Sequence, residues 1–203
     1  MKRPMFIKPL FVFCFAIALA ASVYGQVGTR QLDPSYEVSL QMIIGSNDGS
    51  GRQEMPAGLS GISNQLKSSF AYKNYRLAGT IVGRVANTGS FEYKSTMSMF
   101  AEPKTAHPTF VEWTLGTMRS GPGTGGTMGF QAQAFRFGAR VPMIVPRVGE
   151  GVNTSPVVNY ESIGMTLREV GLAVNSPTLI GTLGLPGAEG TVFLVMTVRA
   201  AEL

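Results

Sequence analysis

Tyr36-Glu-Val-Ser-Leu-Gln-Met-Ile-Ile44 opens the ordered part of the chain with a regular apolar pattern. Tyr36, Val38, Leu40, Met42 and Ile44 alternate with Glu37, Ser39 and Gln41, the period of two expected of a strand with one buried face. The following residues, 45–54, are turn formers and polar side chains, so the strand ends there. Beyond Pro56, the spacing of Leu59, Ile62, Leu66 and Phe70 puts four apolar residues on one stripe of a helix over 56–70, with proline suited to its first position. Alternation then returns over 75–85, where Tyr75, Leu77, Ile81 and Val85 oppose Arg76, Thr80 and Arg84. Strand, helix and strand in that order predict a right-handed crossover that sets the second strand parallel to the first.

Further along the chain the helical period disappears. Alternating segments separated by turn residues predict strands near 90–100, 109–118, 127–140, 160–172, 178–184 and 191–199. The last is the clearest, with Val192, Leu194, Met196 and Val198 on one face. Residues 142–159 contain Pro142, Pro146, Gly149, Gly151 and Pro156 and read as a long loop or subdomain joint. The expected class is α+β, mainly antiparallel β, with an N-terminal β-α-β unit followed by a β-rich region and one main helix over a single domain, 36–203.

The N-terminus carries an address. Lys2, Arg3 and Lys8 precede an apolar run over 10–21 that is too short to span a bilayer core, and Val23 and Gly25 then fit the small-residue positions of a cleavage site. Residues 1–25 are therefore expected to be a secretory signal peptide and 26–35 a short polar arm, placing the mature chain in the periplasm or outside the cell. Cys14, which follows the bulky Phe13 inside the apolar run, does not sit where a lipidated cysteine would. It would leave with the signal, so a mature chain of about 178 residues would contain no thiol for disulfides, nucleophilic catalysis or metal binding.

Charge excludes another class. Without Lys2, Arg3 and Lys8 there remain 14 basic residues against 12 acidic ones, a formal charge of +2 in place of +5. Such a surface lacks the clustered positive face that neutralises phosphates, so no nucleic-acid partner is expected. After residue 25 no apolar run is long enough for a transmembrane helix.

Several motifs invite a chemical reading. Gly121-Pro-Gly-Thr-Gly-Gly126 satisfies G-x-G-x-x-G, which cradles a pyrophosphate when it opens a helix. Here Pro122 removes an amide donor and the following residues alternate like a strand, so a hairpin loop is expected and no cofactor. His107, the single histidine, lies in a turn-like link beside Pro108 and cannot make a multi-histidine metal site. Glu92, Glu102, Glu112, Glu150, Glu161, Glu169 and Glu189 are scattered singly; a carboxylate pair for glycoside cleavage would have to assemble in space. Ser46-Asn-Asp-Gly-Ser-Gly51 has the composition of a calcium loop without its spacing. Phe110, Trp113, Phe130, Phe135 and Phe137, in adjacent predicted strands, suit either a core or a stacking platform, the core being favoured. No catalytic, cofactor-binding or metal-ligating residue is selected.

Residues 36–45, 59–67, 70–77 and 181–198 resemble small exported bacterial proteins of uncharacterised function. The β-α-β start also resembles the periplasmic N domains of secretins, which pack as interaction modules in the outer-membrane rings of secretion machines. The chain departs from a secretin in lacking a pore-forming region. The resemblance implies a non-enzymatic periplasmic protein that binds another envelope protein through a sheet edge or an aromatic surface. A small outer-membrane barrel and a hydrolase with dispersed carboxylates are the alternatives.

Overall fold

The computed structural model describes residues 34–47, 55–98, 107–122, 128–145, 157–185 and 190–201. The expected signal peptide and nearly all of the polar arm lie outside these residues. Residues Pro34–Leu203 fall in one compact unit. Its elements in chain order are β1 (Ser35–Ser46), a 3-10 turn (Ala57–Leu59) leading into α1 (Ser60–Ser69), β2 (Asn74–Ala86), β3 (Phe91–Met97), β4 (Thr109–Leu115), β5 (Met118–Pro122), β6 (Met128–Val145), β7 (Val157–Ala173), β8 (Thr178–Gly184) and β9 (Gly190–Ala200). The class is α+β and mainly antiparallel: two antiparallel sheets with one short helix among the described residues.

The first sheet has the order β2-β1-β9-β8. The alternation that marks β1 and β9 in sequence is realised directly, because the two strands lie side by side: Val38 pairs Val198, Leu40 pairs Met196 and Met42 pairs Leu194. In the second sheet β3 pairs β4 and β4 pairs β6, while β5 and β7 also pair β6. Since β7 follows one edge of β6 from Gly129 to Val145, β4 and β5 share the other edge in line with each other. The inner faces of the sheets meet in one core, which joins Val38, Leu40, Met196 and Val198 to Trp113, Phe135 and Phe137. A smaller cluster on the opposite face of the first sheet buries Leu59, Ile62 and Leu66 of the helical segment against Ile43, Tyr75, Phe193 and Val195. The layers are thus helix, sheet and sheet.

The helix is held at both ends. Leu59 N donates to the Pro56 carbonyl (2.8 Å), so proline precedes the 3-10 turn and does not stand inside the α-helix. At the other end the Tyr75 hydroxyl donates to the carbonyls of Leu66 and Phe70, each at 3.0 Å, the first of which also accepts the closing helical bond from Phe70 N (2.9 Å).

β1 and β2 are antiparallel neighbours, with Ser46 opposite Asn74 and Ser35 opposite Ala86. This corrects the parallel crossover expected from strand, helix and strand. Ten helical residues advance about 15 Å, whereas a strand of 12 is about 40 Å long. The helix by itself covers less than half of that length, and the chain re-enters the sheet at the end it left, with Asn74 opposite Ser46. Residues 142–145 and 157–159 also depart from expectation: they are strand, pairing as far as Val145 opposite Val157, and only 146–156 of the expected loop lie outside the described residues.

The expected strand over 109–118 is broken at Gly116 and Thr117, and the break belongs to a feature that crosses the sheet. In β4 the buried residues are Thr109, Val111, Trp113 and Leu115, whereas in β5 it is Met118. In β6 the buried apolar residues are Phe130 and Ala132, then Phe135, Phe137, Ala139 and Val141. In β7 the inward side changes from Ile163, Met165 and Leu167 to Val170 and Leu172. Three neighbouring strands exchange faces at one level while their pairing register continues unchanged. Ala134, at φ 56°, provides the turn of the backbone in β6.

The sheets are tied together at the strand ends. Around the turn between β2 and β3, Thr88 N donates to Met118 O (2.8 Å) and Met118 N donates to Gly89 O (3.1 Å). After β7, Val174 bridges Val198 and Asn175 N donates to Val198 O (2.8 Å).

Candidate functional site

The outer face of the second sheet has no layer over it among the described residues. Its strands align three rows of side chains. Lys94, Glu112, Gly138 and Gly164 form the middle row, Thr96, Phe110, Arg140 and Ser162 the row on one side, and Thr114, Arg136 and Thr166 the row on the other. Two glycines in register leave the centre of this face without side chains. The result is a cleft of about 1040 Å³ bounded by β3, β4, β6 and β7.

Glu112 leans into that space. A Cβ added to Gly138 would stand 2.9 Å from Glu112 Oε1, so the carboxylate lies beside the vacant side-chain position. At Gly164 a Cβ would stand 2.7 Å from the Phe137 carbonyl, so this position excludes a side chain for backbone reasons. On the edge strand Lys94 pairs with Glu92 at 2.8 Å. This hydrogen-bonded contact holds the Glu92 carboxyl below its ordinary value and raises the Lys94 ammonium. The Glu92 shift is opposite to the one a general acid needs at neutral pH.

The arginines are differently placed. Arg140 Cζ lies 5.2 Å from the centre of the Phe110 ring, and Phe110 meets Tyr160 edge to face with centroids 5.4 Å apart. Phe110 and Tyr160 are 39% and 40% exposed, so this stack is open to solvent. Among the described residues neither Arg136 nor Arg140 forms an ion pair. The face thus carries two available guanidinium groups, one of them pre-positioned by an aromatic ring, on either side of a carboxylate.

Trp113, Phe130, Phe135 and Phe137 are core, as favoured from the sequence, but Phe110 is on the outer face. Glu92 and Glu112 flank Lys94 on that face; Glu169 accepts a hydrogen bond from Gln131, and Glu161 lies exposed on β7. Glu102, Glu150 and Glu189 lie outside the described residues. His107 is half-buried just ahead of β4. Gly121 and Pro122 belong to β5 and pair with β6, so strands flank the glycine motif, of which residues 123–126 lie outside the description. Of residues 46–51, Ser46 ends β1 and Asn47 accepts a hydrogen bond from Lys73 N (3.2 Å); the rest lie outside. Among the described residues no group of three or more His, Cys, Asp or Glu could hold a metal, and no helix is long and apolar enough to cross a membrane.

Arg136, Gly138, Arg140, Tyr160 and Gly164 were not selected from sequence. The alternation Arg136-Phe-Gly-Ala-Arg140 does put arginine, glycine and arginine on one face. That Gly164 stands beside Gly138 depends on the pairing of β6 with β7. No protein-family model matches the chain, and no curated protein sequence matches it.

Proposed function

We propose that the chain is an exported, non-enzymatic interaction module, periplasmic or secreted, that binds another envelope protein with the open face of its second sheet. The observation that carries this reading is the cleft over Gly138 and Gly164, edged by the exposed Phe110 and Arg140, with the exposed Tyr160 packed on Phe110 just outside it. Aromatic and arginine side chains that are exposed yet already packed on one another contribute contact area with little further loss of freedom, which is why such groups dominate protein interfaces. Export rests on the residues over 1–25, and the interaction role draws on the resemblance to secretin N domains. A membrane barrel would place apolar side chains outward and polar ones inward. Here Trp113, Phe135 and Phe137 point inward and Arg136, Arg140 and Glu112 outward, which favours the interaction module.

A photo-crosslinking amino acid placed in the full chain at Tyr160, and separately at Lys67 on the exposed side of α1, tests the surface in living cells. The expected result is a discrete protein adduct from position 160 and none from position 67. Adducts from both positions alike, or from neither, would remove the open face as the binding surface.

A further inference from the structure

We infer that this face takes an extended acidic polypeptide segment, with carboxylates at positions i and i+4 over Arg136 and Arg140 and a basic side chain at i+2 meeting Glu112 above Gly138. The inference rests on the interaction reading above and adds the chemistry of the segment bound.

The spacing comes from β6 itself. Arg136, Gly138 and Arg140 occupy alternate positions of one strand, so the arginine Cα atoms are about 14 Å apart at the usual rise per residue. A second extended chain laid along β6 has the same repeat. When its residue i lies over Arg136, its residue i+4 lies over Arg140 and its residue i+2 over the side-chain-free Gly138. Gly164, beside Gly138 on β7, widens the same gap.

The charges run in one order along this line. Arg136 is positive, Glu112 beside Gly138 is negative and Arg140 is positive. The complement is acid, base, acid on one face of an extended chain. Each arginine is without an ion-pair partner among the described residues and offers a planar fork that can donate two hydrogen bonds to one carboxylate. Stacking on Phe110 limits the orientations of the Arg140 guanidinium before anything binds, so less freedom is lost on binding. A uniform polyanion, such as an acidic polysaccharide or a nucleic-acid backbone, fits less well. It would bring negative charge against Glu112 in the middle of the line.

Labelled peptides test this on the full mature chain by fluorescence anisotropy at low salt. TEVKVET carries the complementary pattern, TVEEKVT the same residues at other spacings, and TKVEVKT the reversed charges. TEVKVET is expected to bind saturably and the other two about tenfold more weakly or not at all. Arg136→Gln and Arg140→Gln should each weaken TEVKVET about fivefold, as for exposed ion pairs. Both side chains are exposed, and an unchanged thermal unfolding midpoint would show that the variants remain folded. Glu112→Lys should shift the preference from TEVKVET to TEVEVET. Equal binding of the shuffled peptide, or indifference to both arginine variants, would overturn the proposal. So would polygalacturonate competing as well as the peptide, because the ligand would then be a polyanion without alternation. If adducts form at position 160 but no peptide binds, the acidic-segment assignment fails and the interaction reading survives; loss of both removes both.

Discussion

Gly83 of β2 lies against the ring of Phe91 in β3 so closely that a Cβ at position 83 would overlap the ring atoms. Phe91 in turn packs on Trp113, with ring centres 4.7 Å apart and Trp113 fully buried. The first sheet therefore passes to the second through a contact that needs the absence of a side chain. Gly83→Ala is expected to destabilise the protein by about 1–3 kcal/mol, the usual cost of overpacking. Gly171→Ala, where a Cβ meets nothing within 4 Å, should stay within about 0.5 kcal/mol of the parent. Urea unfolding of the two variants measures the contrast.

Ala134 holds a left-handed backbone, φ 56°, where the second sheet exchanges faces. A residue with a Cβ costs about 1–2 kcal/mol in that region, whereas glycine enters it freely but has more unfolded-state entropy to lose. Ala134→Gly should be neutral or raise stability by up to about 1 kcal/mol, and Ala134→Val, branched at Cβ, should lower it by more than about 1 kcal/mol. Thermal unfolding distinguishes this from an ordinary exposed strand position, at which valine would be the better residue.

Truncation in α1 should divide by face. Leu66 is fully buried beneath the helix, while Asn64 and Lys67 are exposed. Leu66→Ala is expected to cost about 2–5 kcal/mol, and Asn64→Ala and Lys67→Ala to change stability by less than about 0.5 kcal/mol. Phe70 is half-buried and meets Phe193 edge to face at 4.8 Å, so its loss should fall between these limits. A urea titration of the four variants decides whether the helix packs as described.

Tyr75 links stability to alkaline pH. Burial, first among the causes, raises its phenol above the ordinary value of 10.0, because the charged form is poorly solvated beneath the helix. A group whose folded value is raised contributes stability that is fully present below its unfolded value and is lost as pH rises through the folded one. The stability of the parent should therefore fall from about pH 10 upward, and Tyr75→Phe should lose that part of the decline. At neutral pH the same variant should cost about 1–2 kcal/mol, because the hydroxyl's hydrogen bonds to the Leu66 and Phe70 carbonyls are lost. Unfolding midpoints of parent and variant across alkaline pH test both statements.

The kind and place of most elements are legible in the order of the residues alone. Alternation over 36–44 and 191–199 and the stripe of Leu59, Ile62 and Leu66 depend on which neighbours along the chain are apolar, a local property that burial then enforces. Even the open face left a trace, since Arg136-Phe-Gly-Ala-Arg140 points its arginines away from Phe137. Which strands meet, and which side of each looks outward along its whole length, emerges only from the folded chain. The direction of β2 is set by its pairing with β1, which places Asn74 opposite Ser46. The exchange of faces at Gly116, Ala134 and Arg168 interrupts the alternation in three strands at once, so no single segment discloses it. The cleft exists because Gly138 and Gly164, distant in sequence, become neighbours, and that pairing is set by hydrogen bonds between strands rather than by the composition of either.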